Sequence, residues 1–330
     1  MRRLIAVGAL AAQASASAAS ASAATSSAPS RPSPGRIGIR QRTIPYNQRN
    51  NPRDRLYIIQ NVRPGTRIQR LIQVANLGRT RVRLQVYPAA ASIAHGHFLF
   101  APGRTPNQLT MWTRVNAGGV TLAPHQLKTL KVTISVPRNA SRGNQYGVIW
   151  AQDAATRRSG RANVMLVNRV GIRMYVSVGP GGPPPSNFTI SAPYARRAQG
   201  GRAVVNVTVD NTGGSALDIQ GTLTLTGGPG GLRAGPVASA TMATVAPGQS
   251  APVTFQLGRG IPNGPWEAAV HLQSGLLVKN EKASIDFAQA PGRSPWLRVL
   301  PVLAAVFVVV ALGAGVLTSR RRRRPVRLHA

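Results

Sequence analysis

The sequence predicts an all-β fold: two tandem immunoglobulin-like β-sandwich domains followed by a single transmembrane helix. Three observations predict it. Apolar and polar residues alternate with a period of two in several short runs, as in strands with one face on a core. Clusters of Gly, Pro and Asn separate those runs and signal turns. Near the end, Val299 to Leu317 carries no charged side chain and is followed by five consecutive arginines, Arg320 to Arg324.

The chain begins with a pattern suited to secretion. Arg2 and Arg3 precede the apolar run Leu4 to Ala12, and small residues follow, so 1–24 is expected to be a signal peptide. Residues 25–35 are rich in Ser and Pro and form a flexible lead-in. The first sandwich is expected over 36–179. Leu56 to Ile59 is its first clear strand candidate, followed by the turn Pro64-Gly65 and the run Ile68 to Asn76. Val82, Leu84 and Val86 alternate with Arg81, Arg83 and Gln85. His95-Gly96-His97 reads as a hairpin bend. Strands are expected at Trp112 to Val115, Leu127 to Val136, Tyr146 to Ala151 and Val164 to Val178.

Residues 180–186 are a Gly/Pro linker, in which proline stiffens and glycine permits a bend. The second sandwich is expected over 187–288. Val205, Val207 and Val209 alternate with polar residues, as do Leu223 and Leu225, then Val253, Phe255 and Leu257. Trp266 to Leu272 and Ala283 to Phe287 complete the set. Val74-Ala75-Asn76-Leu77-Gly78 in the first domain matches Val209-Asp210-Asn211-Thr212-Gly213 in the second, and each is followed later by Ala-Pro and an alternating strand. One sandwich pattern is used twice, with turn residues in equivalent corners.

Residues 289–295 join this domain to the apolar run. Residues 296–318 are expected to cross a bilayer as a helix, because about 20 apolar residues suffice and hydrocarbon offers no partner for free backbone groups. Trp296 suits the membrane boundary, and Arg320, Arg321, Arg322, Arg323 and Arg324 open a basic cytoplasmic tail over 319–330. The topology expected is a single-pass protein of a bacterial plasma membrane, N-terminus outside and C-terminus cytoplasmic.

The formal net charge is +34, and all but four of the 41 basic residues are arginine. Two explanations stand side by side: fit to an anionic partner such as a wall polymer or phospholipid head groups, and the low cost of arginine codons in GC-rich DNA. Nucleic acid is not expected, because the charge lies outside the cell in this topology. There is no cysteine, which excludes disulfides and thiolate metal sites.

The acids are few: Asp54, Asp153, Asp210, Asp218, Glu267, Glu281 and Asp286. None forms a close pair suited to acid–base work on a glycan, and no Gly-x-Ser-x-Gly motif is present. No enzyme, cofactor or metal is expected. Asp54 lies between Arg53 and Arg55, which points to an ion pair. His95 and His97 fit a surface loop better than a metal site, for want of a nearby acid. Trp112, Tyr146, Trp150 and Trp266 could stack on a sugar, but their apolar neighbours favour a core role.

Tyr57-Ile58-Ile59 before Pro64-Gly65, Val74 with Asn76, Tyr87-Pro88-Ala89-Ala90, Leu109 to Trp112, Leu122-Ala123-Pro124, Val136-Pro137, and Gly143 before Gln145 to Trp150 recur in one order. In that order residues Tyr57 to Val178 resemble the N-terminal domain of the bacterial WxL-interacting protein family, also called domain of unknown function 916. The resemblance implies a cell-surface protein whose first domain binds peptidoglycan and which works beside a WxL-domain protein. The function expected is therefore binding of wall polymer or a wall-associated protein through the first sandwich. The alternative is a chaperone-like or assembly factor that adds a client's strand to an exposed sheet edge.

Overall fold

Period-two alternation has its direct counterpart in the computed structural model, which describes residues 37–287 apart from 160–161 and 183–184. The all-β expectation holds over these residues. The first half holds β1 (Ile37–Gln41), α1 (Pro52–Leu56), β2 (Ile58–Val62), β3 (Arg67–Asn76), β4 (Val82–Ala94), β5 (His97–Phe100), α2 (Gln108–Trp112), β6 (Thr113–Val115), β7 (Gly119–Leu122), β8 (Leu127–Ser135), β9 (Gly143–Ser159) and β10 (Ala162–Val178). One sheet runs β1-β3-β8-β6. The other runs β2-β10-β9-β4-β5, with β7 also on β4. The inward phase of β3, β4, β8 and β10 fills the space between them with Ile72, Val74, Leu84, Leu130, Ile134, Ile172 and Met174, all buried.

The second half holds β11 (Thr189–Ile190), β12 (Tyr194–Arg197), β13 (Ala203–Asp210), β14 (Leu217–Gly228), β15 (Leu232–Ala238), β16 (Ala243–Val245), β17 (Ser250–Gln256), β18 (Gly264–Ser274) and β19 (Leu277–Phe287). β13 carries β11 and β12 on one side and β17 on the other. The facing sheet runs β15-β14-β18-β19, with β16 on β14. Phe188, Phe255, Trp266 and Phe287 make its core.

The sequence repeat has a physical basis in two buried asparagines. Asn76 donates from Nδ2 to the carbonyls of Thr80 and Ala123 and accepts at Oδ1 from the Gly78 amide. Asn211 donates to the carbonyls of Ser215 and Val245 and accepts from the Gly213 amide. Each one ties a turn to a neighbouring strand by satisfying backbone groups that would otherwise be buried unpaired.

Two short helical turns replace predicted strand residues. Leu56 ends α1, because Asn51 caps that turn by accepting from the Arg53 amide and Pro52 suits its first position. Trp112 ends α2, where Asn107 and Thr110 form a reciprocal capping box. The strands begin just after, at Ile58 and Thr113.

The plasma-membrane expectation is corrected. Among the described residues no helix is long and apolar enough to cross a membrane. The expected span 296–318, its boundary residue Trp296 and the block Arg320, Arg321, Arg322, Arg323 and Arg324 lie outside the described residues, as does the expected signal peptide.

Close approach of β9 and β10 requires a glycine. A Cβ on Gly171 would stand 2.6 Å from Val148 Cγ2 and 2.7 Å from Trp150 Cε3. Gly171→Ala is therefore expected to cost about 1–3 kcal/mol through overpacking. The urea-unfolding midpoint reads this loss, and an unchanged midpoint would contradict the packing.

Candidate functional site

The longest strands of the molecule, β9 and β10, form one hairpin that is incompletely covered. β4 pairs with β9 from Gly147 to Asp153, so beyond that point the hairpin is two-stranded among the described residues. On the side of β10 away from β9, β2 pairs in parallel with Met174 to Val178 only. Among the described residues nothing pairs with that side of Ala162 to Arg173, a backbone edge about 40 Å long at ~3.3 Å per residue.

Unpaired edges are commonly shielded by charge, shortness or a covering loop. β19, the outer strand of its sheet, carries Lys279, Glu281 and Lys282. β17 is covered by the stretch around Ser239 and Ala240, which bonds to Thr254. Among the described residues no strand pairs over that part of β10. The Arg169 guanidinium lies 4.4 Å over the Trp150 ring, and Arg173 is drawn to an acid of the second sandwich. Val167 is exposed, while Val170 packs against the first core, so the edge offers one apolar side chain as well.

That acid is Asp218 at the start of β14. Its carboxylate is almost fully buried and receives hydrogen bonds from five donors. Arg53 donates to Oδ2 from Nη2 at 2.8 Å and from Nε at 3.1 Å. Oδ1 accepts from Arg173 Nη1 at 3.2 Å, from the Thr244 hydroxyl at 2.7 Å and from the Tyr175 hydroxyl at 3.1 Å. Burial, with the negative charge of Asp218 added, raises the pKa of Tyr175, so the phenol stays a donor. Three of the four residues come from the first sandwich. The Thr244 amide also donates to the Gly96 carbonyl at 2.8 Å, and Ala216 and Ala246 pack on Ile93 and Phe98. The sandwiches thus meet through a saturated polar cluster beside an apolar patch.

The expected ion pair of Asp54 with its flanking arginines is absent. Arg53 is committed to Asp218, 165 residues away. Asp54 is 6% exposed, and its Oδ1 has no hydrogen-bond partner. Burial pushes its carboxyl up to about 6, against the pull of Arg53 and Arg70.

The aromatic residues divide. Trp266 is core and Trp112 packs against the other core, while Tyr146 and Trp150 lie on the opposite face of their sheet. Tyr146 meets Tyr175 edge-on at 76°, and Phe100 meets Trp150 at 60°. Such rings cover one another and leave no flat stacking surface for sugar. The expected peptidoglycan-binding site in the first sandwich is corrected on that ground. His95 and His97 stand at the β4–β5 turn. Among the described residues no three of His, Cys, Asp and Glu come together to hold a metal.

No family model matches the chain, and no curated protein does. Among solved structures, the chain is similar to the E. coli chaperone DraB at 14% identity, covering 76% of this chain and 97% of that one with a TM-score of 0.40. It is similar to the Salmonella enterica SafA pilin in complex with the SafB chaperone at 11% identity, covering 77% and 96% with a TM-score of 0.38. The CsuC–CsuE chaperone–tip adhesion subunit complex of Acinetobacter baumannii gives 13%, 71%, 97% and 0.38. At these values the likeness says nothing of what this chain does.

Asp218→Ala would strand Arg53 and Arg173 at the junction, at an expected cost of roughly 3 kcal/mol. Limited proteolysis should then cut the linker near Gly182 faster than in the parent. An unchanged rate would mean that the cluster does not hold the junction. Asp54 has the opposite sign. Its folded-state value lies above its ordinary 3.8, so as pH rises from about 4 to 6 the unfolded chain ionises first and stability falls. Asp54→Asn should be more stable than the parent at pH 7, with the gap closing by pH 4 in urea titrations.

Proposed function

We propose that this protein is a non-enzymatic chaperone or assembly factor that binds another polypeptide by adding one of its strands to the free edge of β10. The observation that carries the proposal is the backbone from Ala162 to Arg173, unpaired on one side among the described residues and continuous with a segment that already accepts β2. Backbone N–H and C=O groups along such an edge pair with any extended chain, which gives affinity without much sequence demand. Selectivity comes from alternate side chains, and here the exposed Val167 asks for an apolar residue in the client. The client strand would lie in line with β2.

Two features of the chain support a binding role for this edge. β10 is held rigidly at its far end by the bonds of Arg173 and Tyr175 to Asp218. Its inward residues Ile172 and Met174 are buried in the core, which fixes the end of the edge next to β2. A rigid edge loses little freedom on binding.

Hydrogen exchange tests this directly. In the free protein, alternate amides between Ala162 and Arg173 should exchange quickly, since only the other half faces β9. A terminally blocked decapeptide of alternating threonine and valine should slow the fast set by at least tenfold. It should leave β19 unchanged. Equal protection of both edges, or of neither, would overturn the proposal.

A further inference from the structure

Cross-strand register sets Tyr87 of β4 opposite Trp150 of β9, and Gln85 opposite Gln152, which faces Arg169 of β10 on its other side. These side chains share the phase that points away from the first core. Each ring of the aromatic pair holds a guanidinium. That of Arg104 lies 4.1 Å over Tyr87, and that of Arg169 lies 4.4 Å over Trp150. An arginine stacked on an aromatic face keeps its N–H fork for an anion. Arg104, Gln85 and Arg169 are exposed. The acceptors of this shelf are already engaged. Gln85 Oε1 accepts from Arg104 Nη2 at 2.7 Å, and Gln152 Oε1 accepts from the Tyr87 hydroxyl. Among the described residues neither glutamine Nε2 nor the Arg169 guanidinium has an acceptor. The acid in β9, Asp153, has the phase of Ile149 and Ala151 and so belongs to the opposite face.

We propose that this shelf binds an acidic segment of the polypeptide partner, whose carboxylates take the N–H groups of Arg169 and Arg104. Two cations on neighbouring rings repel each other until an anion lies between them. A surface that has donors left and its acceptors engaged suits a ligand that only accepts, and an ionised carboxylate is such a group. The chain has seven acids for 41 basic residues, so it cannot fill its own arginines. Position favours a polypeptide over other anions. Gly171 lets the Trp150 ring spread over β10, since a Cβ there would stand 2.7 Å from Trp150 Cε3. The guanidinium on that ring is thereby held beside the edge where the client strand is placed. A glutamate on the face of that strand turned away from the core meets Arg169 across the pair. The inference rests on the reading that the partner is a polypeptide, and it gives that partner a charge.

The test uses the full chain and two terminally blocked threonine–valine decapeptides, one with two threonines replaced by glutamate and one with the same two replaced by glutamine. Titration calorimetry should show the glutamate peptide binding about tenfold more tightly, as charge-assisted bonds outweigh neutral ones. Arg104→Gln with Arg169→Gln should abolish that preference, and Lys131→Gln on the other sheet should leave it intact. Both arginines are exposed, so their removal spares the core. A preference that survives the double change is general attraction to a basic chain and overturns the assignment. A deoxythymidine trimer with two phosphodiester charges that binds the same arginines as tightly as the glutamate peptide overturns the choice of an acidic polypeptide. Amide exchange along β10 is read with both peptides. Equal affinities with β10 protected overturn the shelf and leave strand addition standing. A glutamate preference lost in the double variant, with β10 unprotected, supports the shelf and overturns strand addition.

Discussion

The carboxylate of Asp218 is the constraint on which the arrangement of this molecule depends. A buried acid is tolerable only when its charge is paired and its lone pairs are filled. Asp218 meets both conditions by recruiting Arg53 from α1, Arg173 and Tyr175 from β10, and Thr244 from β16. Because those donors sit on both sandwiches, satisfying one charge fixes the angle between two domains. The Thr244 amide bonded to Gly96 and the alanine patch against Ile93 and Phe98 complete the lock.

That lock shapes the candidate surface on β10. Arg173 is the last residue of the free edge and a partner of Asp218 at once. The edge is thus anchored where it ends, and its side-chain charge is turned toward the junction instead of guarding the strand. Arg53 is likewise consumed, which leaves Asp54 beside it buried without an ion-pair partner. The scarcity of acids in an arginine-rich chain gives a single carboxylate two guanidinium partners and an unusual structural weight.

Much of the fold is legible in the order of residues. Alternation in Ile68 to Asn76 and Val205 to Val209 fixes which side chains face inward, because strand geometry has a period of two. The repeated Asn corner at Asn76 and Asn211 is legible too, since both positions must satisfy the same buried backbone groups. α1 escapes, although Asn51-Pro52 is a cap signal, because Tyr57 to Ile59 dominates the local pattern. The candidate site is less legible. Arg53 and Asp218 are joined only by the fold, and local spacing pairs Asp54 with its neighbours instead. The free edge of β10 is a property of what fails to pair with it, and no residue type announces that. The apolar run 296–318 is plain in the sequence and lies outside the described residues.

The absence of cysteine from the chain makes the central claim, that partners dock along β10, open to one direct measurement. Val167→Cys and Lys282→Cys place a single thiol on β10 and on β19 in turn, each offered a threonine–valine strand peptide bearing one cysteine at successive positions. Disulfide formation at Val167→Cys should peak at every second peptide position and be weak at Lys282→Cys. Cross-linking that is uniform along the peptide, or equally strong on β19, would contradict docking on the β10 edge.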